Sequence, residues 1–262
     1  MKKILLALCI FVSSFSQVQA LYFGNISEAE IIDQGIVLSK DNWMALKIGY
    51  QGDFVFDRKL QTHGGCHGRV DEFQLVMQQG LIALDFADRA EFYGTMGVAN
   101  VYFTHRPDSD QKRREYQTAE DFTWGVGARA IFISWGNTSL GADAAIQWAN
   151  MKSKWEAING VSYNKHSNIN YREWQVGMGV SHKIEILVPY FAVKYSNVRG
   201  KLKNLSPYLF PPNGSDNFNL KNRTYVGIAL GATVSMGTIF DLNVEASLID
   251  EEAISLAANL KF

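Results

Sequence analysis

Cysteine is almost absent from this chain: Cys9 and Cys66 are the only two in 262 residues. Proline is nearly as rare, with five residues against 22 glycines. No stretch reaches the roughly 18 consecutive apolar residues that a membrane helix needs. Neither sign of charge prevails, with 25 Lys and Arg against 26 Asp and Glu and a formal net charge of −1. That weak, mixed balance excludes nucleic acid as a natural partner, because no electrostatic footprint for phosphates is present.

The one strong apolar run is Ile4–Val12, preceded by Lys2 and Lys3 and followed by polar residues up to Val18-Gln19-Ala20. A charged start, a short apolar centre and a small-residue end predict a secretory signal peptide over 1–20, cleaved after Ala20. Cys9 follows Leu8 rather than a small residue, so it is not a lipidation site. Cleavage leaves Cys66 as the single thiol. An exported protein with one cysteine has no intramolecular disulfide, and its stability must come from hydrogen bonding and packing.

The rest of the chain carries period-2 alternation, most clearly at its end. Phe240, Leu242, Val244, Ala246 and Leu248 alternate with Asp241, Asn243, Glu245 and Ser247. After the acidic turn Ile249-Asp250-Glu251-Glu252, the residues Ile254, Leu256, Ala258, Leu260 and Phe262 continue the pattern. Similar segments start at Trp43, Phe73, Phe92, Phe122, Leu140, Trp174, Phe191 and Val226, which predicts about ten strands, with more possible. Segments of about ten alternating residues are what a transmembrane barrel uses. The expected connections sort by parity: short near 85–89, 136–138, 182–186 and 237–238, and long at 57–69, 104–121, a stretch of about sixteen residues reaching Tyr171, and 197–221. The fold class predicted is therefore all-β, a transmembrane antiparallel up-and-down barrel with short periplasmic turns and long extracellular loops. The bacterial outer membrane is its expected location. Its three parts are a signal peptide (1–20), an amino-terminal lead-in packed in or under the barrel (21–42), and the barrel (43–262). Lipid offers no partner to an open strand edge, so the first strand must meet the last. Tyr50, Trp124, Trp148, Trp174 and Tyr195, near strand ends, suit interfacial girdles.

Five collinear stretches then resemble a known family. They are Gly49–Arg58, Phe122–Ala130, Tyr171–Gln175, Val188–Lys194 and Val244–Glu251. Together they are similar to the chlamydial major outer membrane protein family of porins, and the similarity runs from about Leu21 to Phe262. The resemblance implies a channel passing ions and small solutes, a structural role in the envelope, a trimeric assembly, and a surface antigen displayed through the loops. The chain departs from that family in being shorter and in lacking its cross-linking cysteines: none occurs at 41–43 or 135–137. A disulfide-linked coat does not follow here.

The candidate pore-lining residues are Lys47, Glu72, Glu91, Arg129, Asp143, Glu173, Lys194, Arg223, Asp241, Glu245 and Lys261. Gln74, Gln147, Gln175 and Asn243 share the polar faces. Both signs occur, so strong selectivity for one sign is not expected, and charge rings would tune which ions pass. The same residues could instead pair with one another and fill the interior, because ten strands lie near the filled end of the range. A closed structural or adhesin-like barrel is thus the alternative. Phe262 is the expected assembly signal for the barrel assembly machinery, with outer-membrane lipid the surrounding partner and a homo-oligomer expected. No catalytic set emerges. There is no Asp-x-His element, and His166-Ser167-Asn168 places adjacent residues where a nucleophile, base and orienting group could not converge. His63-Gly64-Gly65-Cys66-His67 offers too few ligands for a structural zinc site. No cofactor is expected.

Overall fold

The structure, a computed structural model, describes residues 21–31, 43–64, 67–163, 167–206, 217–235 and 239–262. The signal peptide expected over 1–20 and the later part of the lead-in lie outside the described residues.

Fourteen strands follow in chain order: β1 (Met44–Arg58), β2 (Leu60–His63), β3 (Gly68–Phe86), β4 (Ala90–Pro107), β5 (Arg114–Thr118), β6 (Asp121–Trp135) and β7 (Thr138–Ile158). The remainder are β8 (Val161–Tyr163), β9 (Asn168–His182), β10 (Leu187–Lys203), β11 (Phe218–Asn222), β12 (Val226–Ser235), β13 (Phe240–Leu248) and β14 (Glu251–Lys261). Ten of them close a ring in the order β1, β3, β4, β6, β7, β9, β10, β12, β13, β14, every neighbour antiparallel. The seam joins β14 to β1, from Lys47 opposite Lys261 to Arg58 opposite Glu251. Phe262 extends it by donating its backbone N–H to the Leu46 carbonyl at 2.7 Å.

The outer wall of this ring is apolar. Ile48, Ile82, Phe92, Met96, Val126, Met178, Val193, Leu230 and Val244 all stand exposed. A continuous apolar belt of this size has no place in water and fits the hydrocarbon layer. Aromatic pairs rim it at both ends. Trp43, Phe86 and Phe92 cluster beside the short turn after β3, with centroids 5.9 and 5.8 Å apart. At the far end Trp124 stacks on Trp148 at 4.3 Å, and Tyr195 lies between Trp174 and Tyr225.

Beyond that second rim the expected long loops are largely strand, which corrects the sequence reading. The strands β3, β4, β7, β9 and β10 run on, and β2, β5 and β11 fill the gaps. The pairings β10–β11–β2–β3–β4–β5–β7–β9–β10 close a second, eight-stranded tier above the first. Two strands drop out because the β13–β14 turn at Ile249-Asp250 stops at the rim, where Lys59 donates its backbone N–H to the Asp250 carbonyl at 3.3 Å. Phe73, Leu75, Val101, Phe103, Tyr116, Met151, Ile169, Leu202, Phe218 and Leu220 meet inside this tier as one apolar core. An eight-stranded barrel is just wide enough for its side chains to fill.

Candidate functional site in the barrel interior

The interior of the ten-stranded ring is built from the inward half of each alternating strand, and the sequence places charge there. At the periplasmic end Lys47 pairs with Glu91 and with Asp85 at 3.3 Å, while Lys261 reaches Asp85 at 3.6 Å and Asp88 at 3.3 Å. Deeper in, Arg129 contacts Asp143 at 3.4 Å, Glu91 at 3.5 Å and Glu28 at 3.8 Å. The Tyr93 hydroxyl donates to Asp143 at 2.9 Å, and the Arg129 guanidinium lies 5.0 Å from the Tyr93 ring centre. Just below the apolar tier, Arg58 forks onto Glu173 at 2.5 and 2.8 Å and reaches Glu251 at 3.2 Å. Lys194 pairs with the same Glu251. Apart from Asp88, which is exposed at the mouth, these groups are almost fully buried. Charges at such depth are tolerated because each one is paired or hydrogen-bonded.

A second element occupies the same space. Residues 21–31 enter the lumen as an extended segment ending in a single helical turn, Glu28–Ile31, near the periplasmic mouth. The segment is held by backbone groups. Glu245 accepts the N–H groups of Phe23 at 3.0 Å and Gly24 at 2.8 Å, and it also accepts the Tyr190 hydroxyl at 2.7 Å. Arg129 donates to the carbonyls of Phe23 and Asn25, and Gln175 donates to that of Tyr22 at 3.0 Å. The Asn25 amide bonds Thr233 and the Val188 carbonyl, and Asn259 donates to Glu28 at 2.7 Å. Apolar contacts back this up: Phe23 and Ile26 pack on Ala192 and Ala229, and Leu21 packs on Leu81, Ala83 and Tyr93. Gly24 has φ +78°, and a Cβ there would run into the Arg129 guanidinium and the Tyr22 ring. Where Ser27, Glu30 and Ile31 meet Ser139, Ser181 and Val188, a cavity of about 220 Å³ remains.

Of the predicted lining residues, Lys47, Glu91, Arg129, Asp143, Glu173, Lys194, Asp241, Glu245 and Lys261 point inward and are buried. Glu72 does not: it lies on the outer side of β3 in the upper tier, opposite Thr104, while Phe73 and Leu75 point in. Gln74 is outward with it. Arg223 is exposed on the outer surface, between β11 and β12. Sequence reasoning missed Arg58, Asp85 and Asp53. The sequence signal was available for Arg58 and Asp85, since both keep the inward parity of Lys47 and Glu91 once a bulge at Val55–Asp57 is allowed. Asp250, read as part of a polar turn, is fully buried and accepts the Ser196 hydroxyl at 2.8 Å. Glycines on the inner face make room for aromatic rings, with Tyr93 lying over Gly127 and Tyr190 over Gly231. Among the described residues no group of His, Cys, Asp and Glu is placed to hold a metal ion.

The sequence profile described as Chlamydia major outer membrane protein matches residues 159–205, from the end of β7 through β10. Three Chlamydia trachomatis proteins named major outer membrane porin are similar end to end. Those of serovars L1 and H are each 24% identical and that of serovar B is 22% identical, with the whole of each chain covered. The chain is similar to the chlamydial major outer membrane proteins. Its belted ten-stranded barrel accordingly resides in the outer membrane. Among solved structures, the Escherichia coli outer membrane protease OmpT matches at TM-score 0.41 and 9% identity, over 83% of this chain and 92% of that one. The beta domain of the Bordetella autotransporter BrkA matches at TM-score 0.37 and 12% identity, over 84% and 99%. The alignments spread the 262 residues of this chain over about 395 positions.

Proposed function

We propose that this porin relative lets ions and small solutes diffuse passively across the outer membrane, starting from a resting state in which its lumen is shut. The observation that carries the reading is the charged column from Lys261 to Arg58 inside a barrel alike, end to end, to proteins named major outer membrane porins. Lys47, Glu91, Arg129, Asp143, Glu173, Lys194, Asp241, Glu245 and Lys261 are the wall of the path in this reading. Residues 21–31 are joined to it by hydrogen bonds, the Arg129–Glu28 ion pair and packing, so they withdraw toward the periplasm without any covalent change. The apolar core of the upper tier must part as well. Export by residues 1–20, recognition of Phe262 by the assembly machinery, a trimeric state, a structural contribution to the envelope and surface antigenicity belong to the same proposal, as does the absence of an enzymatic role.

A second reading is a permanently closed structural or adhesin-like barrel. It is favoured by the stacking of Phe103, Tyr116, His105 and Phe218 across the upper tier. Reconstitution in planar bilayers decides between them. The porin reading expects discrete current steps from the full chain, a larger open fraction after deletion of residues 21–31, and swelling of liposomes in small sugars. Silence of both the full chain and the deletion variant, with folding verified by heat-modifiable gel mobility, would overturn it and leave the closed barrel.

A further inference from the structure

The outer wall above the second aromatic rim is charged unevenly. On β9 the outward residues beyond Trp174 are Arg172, Asn170 and Asn168; on β10 beyond Tyr195 they are Asn197, Arg199, Lys201 and Lys203; on β11 they are Asn219 and Lys221. No outward residue of these three strands is acidic. Arg172 stands directly opposite Arg199, and Arg199 directly opposite Lys221. Like charges in direct cross-strand register repel, since their Cβ atoms lie about 5 Å apart. None of Arg172, Arg199, Lys201, Lys203 and Lys221 makes an ion pair among the described residues. Across the barrel, by contrast, Arg69 and Arg106 pair with Asp71, and Arg113 pairs with Glu115. A row of unneutralised cations held in mutual repulsion by the sheet is the arrangement that an outside anion completes.

Its height identifies the anion. Arg172 lies two residues beyond Trp174, and Arg199 and Lys221 lie four residues from Tyr195 and Tyr225. At about 3.3 Å per residue and a tilt near 40°, this is roughly 5–10 Å above the aromatic rim, within the head-group layer. Arg172 also reaches back to the rim, its guanidinium carbon 6.0 Å from the centre of the Trp148 ring. Below the row, Val176, Phe191, Val193, Val226 and Leu230 present an exposed apolar wall where acyl chains run. We infer that the β9–β11 sector is a docking surface for a phosphorylated glycolipid of the outer leaflet, with phosphate esters bridging Arg172, Arg199 and Lys221 and acyl chains lying on the wall beneath.

The test uses the full chain in neutral detergent, with diphosphorylated lipid A as the probe. The wild type is compared with Arg172→Gln/Arg199→Gln/Lys221→Gln, and with Arg69→Gln/Arg106→Gln/Arg113→Gln as a charge-matched control from the other sector. Lipid A is expected to raise the unfolding temperature of the wild type and of the control, and to bind the sector variant at least tenfold more weakly. Without lipid, the sector variant should unfold at or above the wild-type temperature, because its repulsion is relieved. Dephosphorylated lipid A should bind the wild type no better than it binds the variant. Equal lipid A affinity in both triple variants, or an unweakened response to the dephosphorylated lipid, overturns the proposal. So does competition by low-millimolar inorganic phosphate, which would mark a free-anion site. Sector-dependent capture of heparin without capture of lipid A would likewise overturn it in favour of a soluble polyanion.

Discussion

Glu245 is a principal hold on residues 21–31, beside Arg129, and Glu245→Ala tests its share. The carboxylate accepts two backbone N–H groups of the segment, at 3.0 and 2.8 Å. Hydrogen bonds to a charged group contribute about 1.5–3 kcal/mol each, so the pair supplies roughly 3–6 kcal/mol. Water returning to the freed N–H groups offsets part of this, and about 3 kcal/mol of net weakening is a fair expectation, equal to roughly a hundredfold rise in the open population. The readout is a cysteine at position 27 in a Cys66→Ser background, because Ser27 is buried between Asn25 and Ser181. In reconstituted protein a membrane-impermeant maleimide should label that cysteine slowly, and about a hundredfold faster once Glu245 is replaced. Glu245→Gln, which keeps one accepting oxygen, should fall between. If the site is labelled equally fast with and without Glu245, in protein that still shows heat-modifiable mobility, the carboxylate does not hold the segment and the reasoning fails.

Three further outcomes are expected. Arg58→Ala leaves Glu173 and Glu251 buried and short of a cation, so it should cost about 3–5 kcal/mol; a change below about 1 kcal/mol in urea unfolding would contradict this. Gly127→Ala places a methyl group against the Tyr93 ring, which is tied to Asp143. A loss of about 1–3 kcal/mol is expected, and a double-mutant cycle with Tyr93→Ala should recover most of it. His105, in the upper tier outside the membrane, has its pKa lowered from 6.5 to about 3 by burial and then by the Arg114 charge, against a smaller opposite pull from Asp110. The unfolded state therefore binds the proton first: the contribution of His105 is intact above about pH 6.5 and declines as pH falls toward 3, by roughly 2 kcal/mol at pH 5. Limited proteolysis of the upper tier should accelerate over that range in the wild type and less in His105→Phe.

The membrane ring was legible because lipid enforces one rule on every strand: apolar outside, polar inside. Phe92, Met96 and Val98 against Glu91, Tyr93 and Thr95 are enough to orient β4. The upper tier was not legible because water reverses that rule without breaking the alternation. Along β3 the even positions face outward throughout. Below the rim they are Ile82 and Leu84, and above it Glu72 and Gln74, while Phe73, Leu75 and Met77 turn inward. A reading that equates polar with lumen therefore puts Glu72 on the wrong side, and one that equates charge with loop loses β5 and β11. Arg223 was misplaced for a different reason: the chain is irregular between Asn222 and Val226, so parity counted back from β12 does not carry through it. The site was half legible. Alternation alone marks Lys47, Arg129 and Glu245 as inward, but nothing in it foretells that Glu245 grips the backbone of Phe23 and Gly24, more than 200 residues away in sequence.

The β13–β14 turn stops at the aromatic rim, and this decides which parts of the protein meet the outside world. Ile249 stands half-exposed beside the head groups while the Asp250 side chain is turned into the barrel. Of the five connections on that side, only four rise to the top of the upper tier. A protease arriving from the medium would meet those four first, and the seam that closes the barrel lies lower on the wall.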